Sequence, residues 1–295
     1  MKKLDIQNVG LILEGGGMRG SYTAGVLDFF LNKNIHFQYI IGVSAGACNA
    51  MSYISKQKGR NIKVSMDYIG DKRYIGLRNY IKEGSIFGMN FIFNEIPKKY
   101  IPFDFDTFDN STCKFLIGTT DCKTGEAIYF NKNDITENME VIKASSSLPL
   151  ISPILKYKNY ELLDGGISDS IPILKAMEDG IEKNIIILTR NKDYRKSPNK
   201  LYRIIKLKYK KYPNLVKSIK NRYKKYNETL ALIEKLEKEG KVFVLRPSKP
   251  IRVSRLETHS ENLLELFNNG YEDAENNYEK MMKFLGVDLK NEKLQ

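Results

Sequence analysis

Two strand-to-helix turns built around glycine constrain the fold of this chain most strongly. The first reads LILEGGGMRG over residues 11–20, and the second reads YIIGVSAG over residues 39–46. In each, a short apolar run typical of a buried strand meets glycine and is followed by a helix-compatible stretch. Further strand and helix patterns alternate along the rest of the chain, which favours a mostly parallel sheet with helices on both faces. We therefore predict an α/β protein with a three-layer α/β/α architecture.

The length of 295 residues would suit one large α/β domain or two ordinary ones. The sequence contains no internal repeat and no low-complexity linker, so we predict a single domain over residues 1–295. Within it we expect a basic helical segment at about 190–226 and a long C-terminal helix from Ser260 to Phe284.

The composition excludes several classes of protein. Hydrophobic residues make up 42% of the chain and charged residues 28%, as in soluble globular proteins. No run approaches the roughly 18 apolar residues of a membrane span, and glycines interrupt any signal-peptide core near the start. We expect a cytoplasmic protein, with peripheral contact at the inner membrane surface as an open alternative.

The three cysteines, Cys48, Cys113 and Cys122, are odd in number and lack C-x-x-C spacing, so we expect no disulfide framework, metal or cofactor.

The first turn also matches the phosphate-binding pattern G-x-G-x-x-G through Gly15, Gly17 and Gly20. A dinucleotide site would need an acidic residue at the end of the next strand to hold the ribose, and small residues stand there instead. A P-loop would need G-K-[ST], and no lysine follows Gly20. Both phosphate-loop interpretations are therefore weakened.

The second turn contains GVSAG, which is G-x-S-x-G at a strand-to-helix junction, the context of a nucleophile elbow. Gly42 and Gly46 would let the turn close tightly and expose the hydroxyl of Ser44. Attack by Ser44 on an acyl carbonyl would need preorganised donors for the oxyanion. The N–H groups of Gly16 and Gly17, with Arg19 near by, are the candidates.

The sequence allows two interpretations of the base that activates Ser44. The order Ser44, Asp164, His259 would suit a Ser-Asp-His hydrolase, although His259 lies in the polar stretch RLETHSEN and His36 in a loop. Alternatively, Asp164 in LLDGG could accept the serine proton directly. An aspartate with a pKa near 3.9 is a weak base at neutral pH, but a preorganised oxyanion site lets it serve.

The motifs E-G-G-G-x-R-G, G-x-S-x-G and D-G-G together resemble those of the patatin-like phospholipases, and similar segments extend over nearly the whole chain. The resemblance implies lipid acyl hydrolysis by a Ser-Asp dyad without histidine or calcium, and leaves the headgroup and chain length open. Glu14 stands where many members have Asp, and Gly165-Gly166 where others have Gly-Ala. The implied site residues are the nucleophile Ser44, the base Asp164, the oxyanion loop Gly15, Gly16, Gly17, Arg19 and Gly20, the elbow glycines Gly42 and Gly46, and Gly165 and Gly166 of the D-G-G motif.

The net charge of +13 is concentrated in one segment. Residues Arg190 to Lys225 carry 15 basic side chains and one acidic one, so the rest of the chain sums to −1. Two apolar stripes run through this segment, one through Leu201, Ile204, Ile205 and Tyr209, the other through Leu215, Val216, Ile219 and Tyr223, with Pro213 between them. Basic amphipathic helices bind anionic lipid, and interleaved tyrosines also suit nucleic acid. We expect an anionic lipid surface rather than nucleic acid as the partner of this segment, and a solvated face packed on the core is the other alternative for it. For the whole chain, a basic protein on the same fold that binds nucleic acid or lipid without catalysis is the alternative to an enzyme.

Overall fold

The computed structural model describes residues 4–287 of the chain. The strands are β1 (Leu4–Leu13), β2 (Ile35–Val43), β3 (Lys114–Asp121), β4 (Ala127–Asn131), β5 (Leu155–Tyr157), β6 (Tyr160–Asp164), β7 (Lys183–Ile187) and β8 (Val242–Leu245). The α-helices are α1 (Gly20–Asn32), α2 (Ala45–Ile54), α3 (Arg60–Tyr68), α4 (Leu77–Glu83), α5 (Phe105–Asp109), α6 (Glu140–Ser145), α7 (Ile173–Glu178), α8 (Tyr202–Lys208), α9 (Pro213–Lys238), α10 (Ser260–Asn276) and α11 (Tyr278–Leu285). A π-helical stretch covers Phe91–Tyr100, and 3-10 turns cover Gly17–Arg19, Lys132–Asp134 and Gly165–Ile167.

All eight of these strands belong to a single sheet. Its order is β5-β6-β3-β2-β1-β7-β8, with β4 also paired to β3. The central strands β3, β2, β1, β7 and β8 are parallel, whereas β4, β5 and β6 pair in antiparallel fashion. In β1 and β2, Leu13 pairs with Gly42. The two glycine turns therefore leave the same edge of the sheet side by side, where ligands bind in open α/β folds.

Alternate residues of the central strands face two separate apolar layers, because successive side chains of a strand point to opposite faces. On β1, Leu11 and Leu13 pack on the side of α1, α2 and α10, while Ile12 packs on the side of α7 and α9. These side chains are fully buried. The three-layer α/β/α fold with a mostly parallel sheet is thus confirmed.

The C-terminal region packs tightly on the first helix. A Cβ atom on Gly25 of α1 would lie 1.9 Å from the carbonyl oxygen of Phe267, and one on Gly270 of α10 would lie 2.1 Å from that of Tyr22. The missing side chains therefore permit a close crossing of the two helices. The Tyr22 hydroxyl also donates to Asp273 at 3.0 Å.

The long terminal helix predicted from Ser260 to Phe284 is instead two helices, α10 and α11, separated at Asn277. Asn277 has φ −101° and ψ 3°, and its side-chain amide donates to the carbonyl oxygen of Asp273 at 2.8 Å. Asparagine side chains compete in this way with the helical hydrogen bonds of the backbone. The prediction of one uninterrupted helix is therefore wrong.

The basic segment forms α8 and the first half of α9, with Pro213 at the first position of α9. Most of its predicted apolar stripes face the protein rather than the solvent, while Leu201 and Ile204 are exposed. The inward-facing side chains Ile205, Tyr209, Leu215, Val216 and Ile219 form a small core with Cys122, Leu163 and Ile167. None of the helices between residues 4 and 287 is both long and apolar enough to cross a membrane.

Candidate active site

Ser44 lies on the turn between β2 and α2 in a conformation that few residues adopt. Its φ is 55° and its ψ is −122°. A Cβ on Gly42 would lie 2.8 Å from the backbone of Ala47, and one on Gly46 would lie 2.5 Å from the carbonyl oxygen of Leu13. Only glycine fits at both positions. This is the geometry of a nucleophile elbow, in which a strained turn lifts the serine hydroxyl away from the backbone.

Asp164 contacts Ser44 directly. The Ser44 hydroxyl donates a 2.7 Å hydrogen bond to Oδ2 of Asp164, and both side chains are buried. The second carboxylate oxygen accepts from the N–H of Gly166 at 2.7 Å. Asp164 ends β6, which pairs with β3, and a Cβ on Gly165 would lie 2.2 Å from the carbonyl oxygen of Gly118. The sheet therefore brings together two residues that are 120 positions apart.

Ser145 also supports this pair, although the sequence analysis did not identify it. Its hydroxyl accepts from the backbone N–H of Ser44 at 2.8 Å and donates to the carbonyl oxygen of Gly118 at 2.7 Å. It thus holds the elbow to β3. The run of serines in KASSSLPL was the available signal, but three adjacent serines gave no indication of which one faces the site.

The surroundings of Asp164 tune its carboxyl group. Burial raises the pKa of Asp164 above its usual value, because a charged carboxylate loses its hydration there. The guanidinium of Arg222, the hydrogen bonds from Ser44 and Gly166, and the charge of Arg255 oppose this shift. A carboxylate with a raised pKa is a better proton acceptor than a solvated aspartate.

The glycine loop after β1 has two unused donors beside Ser44. The N–H of Gly15 donates to the carbonyl oxygen of Ser170, and that of Met18 donates to the carbonyl oxygen of Arg255. In the part of the chain that the structure describes, the N–H groups of Gly16 and Gly17 have no acceptor. These two N–H groups are therefore not used by hydrogen bonds within the protein.

The side chain of Arg19 does not line the Ser44 cavity. Gly17, Met18 and Gly20 line the cavity that contains Ser44, whereas Arg19 is buried on the other side of the loop, near Arg190 and Arg255. The backbone of the motif therefore faces the nucleophile while its arginine faces away.

The Ser44 cavity is predominantly apolar. Its volume is about 190 Å³. Its walls come from α1, α2, α3, α6 and the π-helical stretch, and include the side chains of Met51, Phe87, Met89, Phe93, Ile142 and Leu148. Pockets of this kind bury apolar ligands and carry few polar groups to orient them.

Neither histidine lies against the pair of Ser44 and Asp164. The side chain of His259 is 78% exposed, and its Nδ1 lies 2.8 Å from a carboxylate oxygen of Glu257. His36 lies 2.9 Å from the side chain of Asn34 at the far end of β2. Asp164 occupies the hydrogen-bonding position on the Ser44 hydroxyl that a histidine base would need. Across residues 4–287, no group of three or more His, Cys, Asp and Glu side chains is placed to hold a metal ion.

Glu14 has a structural position beside the site. Its carboxylate accepts from the backbone N–H of Thr189 at 2.6 Å, from the Thr189 hydroxyl at 3.0 Å and from the hydroxyl of Tyr226 at 2.7 Å. It therefore ties the end of β1 to the end of β7 and to α9.

Comparison with known proteins identifies related sequences. The protein is similar to the uncharacterized protein YjjU of Escherichia coli K12, with 30% identity over 188 residues that cover 61% of this chain and 52% of that protein. It is also similar to the probable lipid hydrolase 463L of Invertebrate iridescent virus 6, with 29% identity over 197 residues that cover 59% and 65% of the two chains. The matches thus span between about half and two thirds of these relatives.

The crystal structure of VipD from Legionella pneumophila aligns with a TM-score of 0.44 and 13% identity, covering 94% of this chain and 66% of that one. A family model described as a domain of unknown function (DUF6363) matches residues 212–286. The model of the patatin-like phospholipases matches residues 11–177, which is more than half of the chain and contains the serine, the aspartate and the glycine loop. The chain belongs to the patatin-like phospholipase family.

Proposed function

We propose that this protein hydrolyses carboxylic esters of lipids, with Ser44 as the nucleophile and Asp164 as its base. The observation that carries the proposal is the 2.7 Å hydrogen bond from the Ser44 hydroxyl to Asp164 in the wall of an apolar cavity. The family match and the relative named a probable lipid hydrolase support the same class of reaction.

The reaction would proceed through an acyl-enzyme. Asp164 takes the hydroxyl proton as Ser44 Oγ attacks the ester carbonyl, and the N–H groups of Gly16 and Gly17 donate to the oxyanion that forms. The tetrahedral species collapses, the alcohol leaves with the proton from Asp164, and the acyl group stays on Ser44. Water then attacks the acyl-enzyme and gives a proton to Asp164, the bond between the acyl carbon and Ser44 Oγ breaks, and Asp164 returns the proton to Oγ as the carboxylic acid leaves.

The apolar cavity would hold the acyl chain. Each methylene that leaves water for such a site contributes about 0.8 kcal/mol. Long acyl chains should therefore bind better than short ones until the cavity is filled.

Labelling with a fluorophosphonate tests the nucleophile. Wild-type protein should be labelled at Ser44, and Ser44→Ala should lose both labelling and hydrolysis of a p-nitrophenyl ester. Removing a catalytic serine lowers kcat by about 10³-fold or more. Unchanged labelling and turnover in Ser44→Ala would contradict the proposal.

We further infer that an anionic membrane surface is the partner of one exposed face, formed by α4 and α8. Leu77 and Ile81 on α4 are 76% and 85% exposed, and Leu207 on α8 is 76% exposed. The hydroxyl of Tyr80 and the ammonium of Lys208 both donate to the carbonyl oxygen of Leu150, at 3.4 and 3.3 Å, so the two helices flank one loop. We call the exposed apolar side chains Leu77, Ile81, Leu201, Ile204 and Leu207 the α4/α8 face.

Two features support lipid as the occupant of the α4/α8 face. The cations Arg203, Lys206, Lys208, Lys210 and Lys211 surround its α8 half, and no acidic residue occurs between Asp193 and Glu228. Tyr74 and Phe87, which flank α4 in sequence, line the Ser44 cavity together with Leu148, so α4 is connected at both ends to the wall of the cavity. Apolar side chains ringed by lysine and arginine bind anionic bilayers.

Co-sedimentation with phosphatidylglycerol vesicles tests this face. The double variant Lys206→Gln/Lys210→Gln should bind the vesicles at least about tenfold more weakly, since each basic residue contributes roughly 1 kcal/mol. The double variant Ile81→Ser/Leu207→Ser should also bind at least about tenfold more weakly, because it removes apolar side chains of the face. Lys238→Gln, at the exposed far end of α9, is the matched control. Equal binding by all variants, or binding to duplex DNA in preference to vesicles, would contradict the lipid assignment.

A further inference from the structure

Five cationic side chains meet on the side of the glycine loop that faces away from the Ser44 cavity. They are Arg19, Arg190, Lys196, Arg222 and Arg255, and we call them the cationic cluster. Arg19 is buried, with 4% of its surface exposed, while the other four are half-buried and reach the solvent. Across residues 4–287, none of the five forms an ion pair with a carboxylate.

The carboxylates near the cluster are already engaged. Glu14 accepts three hydrogen bonds from Thr189 and Tyr226, and Asp164 accepts from Ser44 and Gly166. The buried Nε atoms of three arginines in the cluster have no hydrogen-bond partner in the described residues; they belong to Arg19, Arg190 and Arg222. Buried donors without a protein partner are rare in folded proteins, and these three can donate to a bound group.

Two tyrosine rings hold the cations in place. The ammonium of Lys196 lies 4.0 Å from the ring centroid of Tyr226, and the guanidinium of Arg190 lies 4.4 Å from that of Tyr194. The rings of Tyr194 and Tyr226 themselves pack edge to face at 6.0 Å. These contacts hold Lys196 and Arg190 near one another.

Burial, and after it mutual repulsion, lowers the pKa values of two members of the cluster. Burial lowers the pKa of Lys196 from its usual 10.5 to about 6, with Arg222 and Arg255 adding to the effect. Burial also lowers the pKa of Arg19 to about 10, helped by Arg190 and Arg255. An uncompensated group of buried cations is costly, and a bound anion would relieve that cost.

We propose that the cationic cluster binds a phosphate group. Guanidinium groups bind phosphate oxygens through paired hydrogen bonds, and the four arginines alone exceed the two nearby carboxylates by two charges. The phosphate is either that of a lipid headgroup or a free phosphate ion. The headgroup assignment rests on the proposed lipid hydrolysis; the binding site itself does not.

The position of the cluster suits a headgroup. The Nη2 atom of Arg222 and the Oδ1 atom of Asp164 lie 3.0 and 2.9 Å from the point that a Cβ on Gly166 would occupy. Arg19 belongs to the same loop as Gly17 and Met18, which line the acyl cavity. A phosphate in the cluster and an acyl chain in the cavity would therefore lie on opposite sides of the dyad.

Thermal unfolding with inorganic phosphate tests binding without turnover. Ser44→Ala protein should show a higher Tm in phosphate than in sodium chloride of equal ionic strength, because a ligand of the folded state stabilises it. The additional changes Lys196→Gln and Arg255→Gln should each weaken phosphate binding by about tenfold, as loss of a charge-assisted hydrogen bond does. Lys200→Gln, an exposed cation of the same segment, should not.

Hydrolysis kinetics identify the source of the phosphate. Lys196→Gln should lower kcat/KM about tenfold for a lysophospholipid and leave that for a neutral p-nitrophenyl ester of equal chain length unchanged. If phosphate binds but kcat/KM for the lysophospholipid does not fall, the cluster is assigned to free phosphate. If only kcat/KM for the lysophospholipid falls, the cluster is assigned to the headgroup. Absence of both overturns the proposal, whereas an inactive wild-type enzyme that still binds phosphate overturns the proposed function alone.

Discussion

Met18 and Arg19 are neighbours in one 3-10 turn, yet their side chains enter opposite environments. Met18 lines the apolar cavity of Ser44, and Arg19 is buried among the cations on the other side of the loop. The backbone directly before them carries the unbonded N–H groups of Gly16 and Gly17. The contrast teaches that neighbouring residues of a single loop can face an apolar cavity and a cluster of cations.

Loss of the proposed dyad of Ser44 and Asp164 should have the largest effect on activity. Asp164→Asn should lower kcat by at least about 10²-fold, because the amide cannot accept the serine proton. His259→Ala should retain nearly full activity, since its side chain is exposed and bonded to Glu257. Steady-state kinetics on one ester measure both. Abolished turnover in a folded His259→Ala protein would replace the dyad with a Ser-Asp-His mechanism.

On the cavity side, a bulkier wall should change the preference for chain length. Ser65 lines the cavity from α3, and Ser65→Phe would displace part of a long acyl chain. Loss of two buried methylenes corresponds to about a tenfold fall in kcat/KM for long-chain esters, with short-chain esters unaffected. Ser65→Ala is the size control. An equal fall for short and long esters would show that the chain lies elsewhere.

On the cationic side, Arg222 should control the pH profile. Its positive charge holds down the pKa of Asp164, which burial raises. Arg222→Gln should raise that pKa further, so the acidic limb of kcat/KM should move to higher pH, since Asp164 must be ionised to act. Arg203→Gln, an exposed change on α8, should leave the limb in place. A limb that stays fixed in Arg222→Gln would mean that another group controls it.

The smallest expected effect concerns stability. Lys196 has a folded-state pKa of about 6, below its usual 10.5, so the unfolded chain binds more protons between these values. Its ionisation therefore costs stability that grows as the pH falls toward 6. Lys196→Met should raise the free energy of unfolding by about 1 kcal/mol at pH 6 and by less at pH 9, after loss of the contact with Tyr226. Urea unfolding at both values measures this, and an equal or opposite change would contradict it.

The elements with strong local signals could be predicted from the sequence. The nucleophile elbow depends on Gly42 and Gly46, whose missing side chains are a short-range steric requirement of the turn. The alternation of strands and helices follows from the periodicity of apolar residues, which also predicted the three-layer fold. The D-G-G motif marked Asp164, but its meeting with Ser44 at 2.7 Å depends on the pairing of β6 with β3.

The tertiary structure alone decided which side chains meet across long distances in the chain. Ile205 and Tyr209 are buried in a small core while Leu207 is exposed. The side chains of Met18 and Arg19 lie in different environments. The tertiary structure also assembled the cationic cluster from the glycine loop, the segment after β7, α9 and the segment before α10. Periodicity tells which residues share a face of one element but not what packs against that face. That choice depends on how the layers stack, and hence on contacts between residues far apart in sequence.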